Sequence, residues 1–318
     1  MDHLPDLKTL GLIGGVLALL GVASAVLRAL KNREASGLDT AMVETFRQRV
    51  RAWWVLFSVL AAALIIPGRL VITVVLFGLI AFWALREFIT LTPTRPGDHR
   101  ALFWVFFLLT PLQFVLVGVG AYEVYSILIP VYAFLFVLAR VAMAGDSKRF
   151  LERCAKIQAG LLICVYCLSH APALVTTLHT PEDDWDPAAL LFFFVLIVQL
   201  SDALQYAWSQ IPSKHVIVPT INPGKTWEGL IGGTASVTLI GAALWWATPF
   251  SQFWIAAAMS TVISLTGFAG SLTLSAIKRD RGVADYGTLV EGHGGVLDRI
   301  DSLCFAAPVF FHLTRLCL

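Results

Sequence analysis

The segment FFFVLIVQLSDALQYAW, residues 192–208, indicates what kind of fold this chain adopts. Counted from residue 188, it reaches the roughly 20 residues with which an α-helix crosses a hydrocarbon core about 30 Å thick. Asp202 interrupts the apolar run near one end. Because an ionised aspartate at the centre of such a helix costs about 2.5–3.5 kcal/mol, and less toward the interface, we expect Asp202 to face a polar cavity. The alternative is a carboxylate that reaches the lipid headgroups from its helix end.

Apolar runs of this kind recur along most of the chain. Of its 318 residues 58% are hydrophobic and 14% are charged, whereas about 25% of the residues in a soluble domain are charged. The sequence therefore predicts an all-α, polytopic transmembrane helical bundle of about ten spans. The run 52–67 is short and meets the next at Pro67-Gly68, so a re-entrant hairpin remains an alternative there. The predicted spans are 10–30, 52–67, 70–91, 101–119, 122–144, 156–179, 188–208, 229–248, 252–275 and 302–317.

Basic residues lie almost wholly in alternate loops between these spans. By the positive-inside rule, those loops remain in the cytoplasm and both termini lie outside. We therefore expect an integral membrane protein with these loops inside, and we place it in a bacterial inner (cytoplasmic) membrane as an expectation that the charge pattern alone does not establish. A net charge of +2 argues against a nucleic-acid-binding protein, which concentrates basic residues on one soluble face. The basic residues of the loops are Lys31, Arg33, Arg47, Arg49, Arg51, Arg95, Arg100, Lys148, Arg149, Arg153, Lys156, Lys214, Lys225, Lys278, Arg279, Arg281 and Arg299.

The first of two unusual loops covers residues 209–228 and contains INPGKTWEG at 221–229. A Pro223-Gly224 turn would bring backbone N–H groups together beside Lys225, an arrangement that can hold a phosphate. Gly224, Lys225 and Thr226 also match the end of a nucleotide P-loop. That interpretation fails because Pro219 stands where the motif requires glycine, and no strand of a soluble domain precedes it.

The second unusual loop, residues 275–302, mixes acidic, basic and glycine residues. Glycines permit close approach of a ligand to the backbone. Asp298 and Asp301 are three residues apart, so on a helix they share a face. Clustered carboxylates with interleaved cations are typical of a divalent metal that is bound together with phosphates. The alternative is a salt-bridged surface loop.

This loop resembles the signature of phosphatidate cytidylyltransferases, also called CDP-diglyceride synthetases. The stretch at 223–229 is similar to a second block of that family, and Ser201-Asp202 to the polar patch ahead of it. The resemblance covers residues 195–316, and it divides the chain into N-terminal transmembrane helices, 1–150, and a C-terminal catalytic region, 151–318. The matching signature positions are Ser275, Lys278, Arg279, Asp285, Gly287, His293, Gly294, Gly295, Asp298, Arg299 and Asp301.

The resemblance implies transfer of CMP from CTP to phosphatidate, which forms CDP-diacylglycerol and pyrophosphate in phospholipid biosynthesis. It implies Mg²⁺ as cofactor, and we expect Asp298, Asp301 and Asp202 as its ligands, with Asp285 as an alternative to Asp202. CTP, phosphatidate and membrane lipids are the expected partners, and the oligomeric state stays open, a homodimer included. The predicted catalytic residues are Lys225, Lys278, Arg279, Asp285, His293 and Arg299, and the predicted cofactor-binding residues are Gly224, Thr226, Gly294 and Gly295.

Two departures from the signature leave other functions open. Its lysine before the loop aspartate is Ala284 here, and its proline before Gly-His is Glu291. A catalytically impaired scaffold therefore remains an alternative. Others are a CTP-dependent lipid kinase, a cytidylyltransferase for another lipid phosphate and, from a different class, a polytopic transporter. Many transporters have two related halves with broken helices, and no such repeat is visible in the sequence.

Overall fold

A computed structural model describes residues 5–32, 40–92, 94–178, 185–211, 215–287 and 294–318. The chain forms two compact units, Met1–Thr73 and Val74–Leu318. The predicted division at residue 150 stays a prediction.

Besides a short 3₁₀ helix at Trp245–Ala247, the described part of the chain contains ten long helical segments, one for each predicted span. They are α1 Leu7–Asn32, α2 Thr40–Ile65, α3 Arg69–Leu91, α4 Pro96–Gly118, α5 Tyr122–Ala142, α6 Phe150–Thr176, α7 Pro187–Trp208, α8 Trp227–Ala243, α9 Phe253–Asp280 and α10 Leu297–Cys317. Helices α4, α5 and α6 each contain a π-helical stretch.

Eight of these helices are long and apolar enough to cross a membrane. The other two are α2, whose apolar part is Val50–Ile65, and α8, which has 17 residues. An all-α, polytopic fold is therefore confirmed. The exact number of crossings stays a prediction.

Helix α7 forms the core of the second unit. Asp186 caps its first turn by accepting the Ala188 N–H at 3.1 Å. The buried run Pro187–Val198 then packs among neighbouring helices, with the Phe194 ring stacked 5.1 Å from that of Phe310 on α10. Asp202 follows this buried run and is partly buried.

Glycines allow two helix pairs to approach closely beside α7. A methyl group on Gly233 of α8 would lie 2.7 Å from the backbone of Gln205 on α7. A methyl group on Gly270 of α9 would lie 2.8 Å from the carbonyl oxygen of Asp301 on α10. Larger residues at these positions would force the helices apart, so these contacts set the spacing of α8 from α7 and of α9 from α10.

Between α7 and α8 the chain forms a small antiparallel hairpin, β1 Val216–Val218 and β2 Asn222–Thr226. The predicted Pro223-Gly224 turn is wrong, because both residues lie in β2. The chain turns earlier, where the Ile221 N–H donates to the Val218 carbonyl at 3.2 Å. Pro219 occupies the second position of this turn, which its fixed φ angle favours.

Candidate active site

Two carboxylates from different helices meet at one hydroxyl group. The Ser302 Oγ donates to Asp202 Oδ1 at 2.9 Å and lies 3.4 Å from Asp301 Oδ1. Asp301 Oδ1 also accepts the Ser302 backbone N–H at 2.7 Å. Asp202 thus has a polar partner, a side chain of α10, while the polar cavity that we expect it to face stays a prediction.

The hairpin brings a cation to this carboxylate pair. Lys225 lies in β2, and its Nζ donates a hydrogen bond to Gln205 Oε1 on α7 at 3.4 Å. The same Nζ lies 5.0 Å from the centre of the Phe268 ring. Asp301 interacts electrostatically with Asp202, Lys225 and Lys278. The long second loop and the hairpin therefore contribute charges to one site.

Asp298 occupies a separate position, one helical turn away. Its Oδ1 is 2.8 Å from Lys278 Nζ, in an ion pair whose side chains are 10% and 15% exposed. Its Oδ2 accepts the backbone N–H groups of Tyr286 and Gly295, each at 2.8 Å. Both oxygens of Asp298 are thus bound by donors of the protein itself.

Gly294 allows the loop to close over Asp298. Its φ of +77° lies in the left-handed region, and a methyl group there would lie 2.8 Å from Asp298 Oδ2 and 3.3 Å from Asp285 Oδ1. Asp285, which is exposed, is therefore close to Asp298. The predicted cofactor-binding group at Gly295 already donates its N–H to Asp298.

Three other predicted residues make hydrogen bonds within the hairpin, to α8 or between the hairpin and α9. Thr226 Oγ1 caps α8 by accepting the Gly229 N–H at 3.0 Å, and the Gly224 N–H donates to Asn222 Oδ1 at 3.1 Å. Arg279 Nε donates to the Ile221 carbonyl at 3.2 Å and so ties the hairpin turn to α9. Roles of these three residues in phosphate binding stay predictions.

Arg299 and His293 are also predicted catalytic residues. Arg299 is half-buried in the first turn of α10, next to Asp298. His293 lies outside the described residues, as does Glu291. Their catalytic contributions stay predictions.

The three predicted metal ligands do not form one group. Asp202 and Asp301 share Ser302, whereas Asp298 pairs with Lys278. Among the residues that the structure describes, no set of three or more His, Cys, Asp and Glu side chains is arranged as a metal site. Since Mg²⁺ takes oxygen ligands and keeps several waters or phosphate oxygens, a pair of carboxylates still fits its chemistry. Asp202 and Asp301 are the residues that fit.

Sequence reasoning missed two residues of α3 that contact the long loop. The Glu87 carboxylate accepts the N–H groups of Val296 and Leu297, at 2.9 and 2.8 Å. The Phe88 ring stacks on that of Tyr286, with 6.4 Å between centres. The available signal was the same as for Asp202, a lone carboxylate near the end of an apolar span.

Tyr286 anchors the loop on its other side. Its hydroxyl donates to the Leu274 carbonyl on α9 at 3.0 Å, and Lys278 Nζ lies 5.6 Å from its ring centre. Burial raises the pKa of Tyr286 above its ordinary value. The phenol therefore stays neutral at physiological pH and keeps its proton for this hydrogen bond.

Known proteins resemble this chain over most of its length. The sequence model of the cytidylyltransferase family matches residues 47–317. An uncharacterized protein of Escherichia coli K12, YnbB, is 38% identical over 274 residues, which are 85% of this chain and 87% of that protein.

Phosphatidate cytidylyltransferases match a shorter part of the chain. Those of Staphylococcus aureus COL and Mycobacterium leprae are 38% and 37% identical, over 120 and 135 residues. The matches cover 37% and 41% of this chain, and 46% and 42% of the two enzymes. Since the family match spans far more than half of the sequence, this membrane protein belongs to the cytidylyltransferase family and is a nucleotidyltransferase.

Proposed function

We propose that this enzyme transfers CMP from CTP to phosphatidate and releases pyrophosphate, with its site on the cytoplasmic side of a bacterial inner membrane. The observation that carries the proposal is the meeting of Asp202 and Asp301 at the Ser302 hydroxyl, with Lys225 close enough to interact electrostatically with Asp301. Family membership and the names of the two partial relatives support the substrates. The charge distribution of the loops supports the orientation.

The chemistry requires little acid–base catalysis. A phosphate monoester is an anionic nucleophile near neutral pH, so a phosphatidate oxygen can attack the α-phosphorus of CTP directly. The new P–O bond forms as the bond between the α-phosphorus and the bridging oxygen breaks, and pyrophosphate leaves with the electron pair. The protein must therefore supply alignment and neutralisation of charge.

The residues of the site suit those two tasks. Lys225 enters from the hairpin and Lys278 from α9, so two cations can contact a triphosphate from different sides. Asp202 and Asp301 would hold Mg²⁺, which when bound neutralises charge on the leaving pyrophosphate. Lys278 is held in place by Asp298, and Lys225 by Gln205. Mg²⁺, Arg279, Arg299 and His293 are parts of this proposal that rest on the resemblance.

Two alternatives differ in what they release. A lipid kinase transfers the γ-phosphoryl group and leaves CDP, whereas a cytidylyltransferase leaves CMP on the lipid and releases pyrophosphate. Membership in the cytidylyltransferase family argues against both the kinase and the transporter. A cytidylyltransferase for another lipid phosphate keeps the same chemistry and differs only in its acceptor. A homodimer stays a prediction.

One assay separates these functions. Purified protein in a neutral detergent is incubated with labelled CTP, Mg²⁺ and phosphatidate, and both pyrophosphate and labelled lipid are measured. We expect equal amounts of the two products, and none without lipid. Asp280→Asn is a suitable control, because Asp280 is exposed and pairs with Arg281. CDP in place of pyrophosphate, or turnover with polyprenyl phosphate but not phosphatidate, would contradict the proposal.

A further inference from the structure

A carboxylate of α3 holds the start of the helix that carries Asp298 and Asp301. Glu87 is 4% exposed, and its two oxygens accept the N–H groups of two consecutive residues, Val296 and Leu297. The first N–H groups of a helix lack intrahelical partners and carry partial positive charge. Glu87 therefore provides the acceptors for two N–H groups at the start of α10, although it lies on a helix about 200 residues earlier in the chain.

The loop is shaped around this carboxylate on both sides. A methyl group on Gly295 would lie 2.3 Å from Glu87 Oε2, and one on Gly287 would lie 2.9 Å from Glu87 Oε1. A side chain at either position would displace Glu87. The absence of a side chain at Gly287 and Gly295 therefore makes room for the Glu87 carboxylate, in addition to any room that it makes for a ligand.

Two acidic side chains hold three consecutive amides. The Gly295 N–H donates to Asp298, and the next two donate to Glu87. Because Asp298 also pairs with Lys278, displacing Glu87 would disturb the segment that orients this lysine. Asp301 lies one turn further along the same helix.

We propose that Glu87 is a positioning residue for the transfer reaction, acting through the first turn of α10. This inference rests on the proposed function for its kinetic consequences but not for its structural ones. It also means that the Val296 and Leu297 amides bind a protein carboxylate, so substrate phosphate must be bound by other groups.

The variant Glu87→Gln tests whether Glu87 positions α10. Glutamine has the size of glutamate, but one of the two acceptor oxygens is replaced by an NH₂ group, which is a donor. Hydrogen exchange, followed by mass spectrometry, should become faster in residues 294–300 and stay unchanged in α7. We expect kcat to fall about 10- to 100-fold, with little change in the KM for phosphatidate. Glu87→Asp keeps two acceptors and should recover part of both losses.

Thr92→Val is the matched control, since Thr92 is buried five residues from Glu87 and its hydroxyl donates to the backbone carbonyls of Phe88 and Ile89 on α3. The proposal is overturned if exchange in 294–300 does not change in Glu87→Gln. It is equally overturned if exchange rises throughout the bundle, as in a general loss of stability. Exchange needs no substrate, so this result stands whether or not phosphatidate is the acceptor.

A second, independent observation concerns the first unit. A cavity of about 350 Å³ between α1 and α2 is lined by Arg28, Arg47, Arg51 and Trp54, together with Ser24, Leu27 and Val50. The apolar part of α1 ends at Arg28, and that of α2 begins at Val50. The cavity therefore lies where two apolar helices reach the polar boundary of a membrane.

The cavity is lined by arginine side chains and by a tryptophan ring that a hydrogen bond holds in place. Trp54 Nε1 donates to Ser24 Oγ at 3.0 Å, which fixes an aromatic ring of the kind that favours the headgroup level. Arg28 and Arg51 are exposed and have no acidic partner within the described residues. Guanidinium groups bind phosphate oxygens bidentately, while Leu27 and Val50 present apolar surface beside them.

We infer that this cavity binds the phosphate of an anionic phospholipid. Native mass spectrometry can count phosphatidylglycerol molecules retained by wild type and by the double variant Arg28→Gln/Arg51→Gln. We expect the double variant to retain one fewer, and Lys8→Gln/Arg69→Gln, with the same change in charge, to match wild type. Equal retention by all three proteins contradicts the inference. Displacement by inorganic phosphate also contradicts it, because the site would then take free anions.

Discussion

The Asp202 carboxylate accepts a hydrogen bond from the Ser302 hydroxyl, 100 residues later in the chain, at 2.9 Å. This contact joins α7 to α10 and places Asp202 beside Asp301. Two carboxylates so close in a largely apolar bundle repel each other unless cations lie between or beside them. Lys225 and Lys278 supply part of that compensation, and bound Mg²⁺ would supply the rest.

The ion pair of Lys278 with Asp298 should contribute to stability as well as to activity. Breaking a largely buried pair by removing one partner typically costs about 3–5 kcal/mol. We expect Lys278→Met to lower the melting temperature in detergent and to abolish most turnover. Lys278→Arg, which keeps the charge, should restore stability more than turnover. Melting curves that are unchanged for Lys278→Met would show that the pair is not maintained in solution.

Gly294 and Gly282 form a matched pair for testing the closure of the loop. Both have positive φ, +77° and +70°, so alanine at either costs about 1–2 kcal/mol of backbone strain. Only at Gly294 would the added methyl group meet Asp298. We therefore expect Gly294→Ala to lose activity strongly and Gly282→Ala to lose little. Similar losses in steady-state turnover for the two variants would contradict the contact with Asp298.

Asn222 should control how firmly the hairpin holds Lys225. Its side chain accepts the Gly224 N–H and donates to Ser275 Oγ on α9, at 3.1 and 3.2 Å. Without these bonds, Lys225 has more conformational freedom when CTP binds. Asn222→Ala should therefore raise the KM for CTP, with a smaller effect on the KM for phosphatidate. Thr220→Ala, in the exposed turn of the same hairpin, should match wild type.

The sequence was sufficient for the helical architecture, and it singled out Asp202 and Asp301, which the structure brings together. Long apolar runs predicted the helices, and a carboxylate inside one of them identified Asp202. The turn of the hairpin was predicted at the wrong proline, because Pro219 and Pro223 both carry turn signals and only strand pairing distinguishes them.

A sequence motif does not show which backbone groups its side chains will contact. Asp298 accepts the Tyr286 and Gly295 amides, whereas Asp301, three residues later, accepts the Ser302 amide. Glu87 likewise has amides as its partners. Which carboxylates remain available to a metal ion is therefore decided by tertiary structure.

The most direct test of the account compares Asp202→Asn, Asp301→Asn and the control Asp280→Asn as Mg²⁺ is varied. Pyrophosphate release from CTP and phosphatidate is measured at each concentration. We expect Asp202→Asn and Asp301→Asn each to lose about 100-fold or more of maximal turnover and to need more Mg²⁺ for the remainder, with Asp280→Asn like wild type. Full turnover with an unchanged Mg²⁺ requirement in either site variant would contradict the central claim.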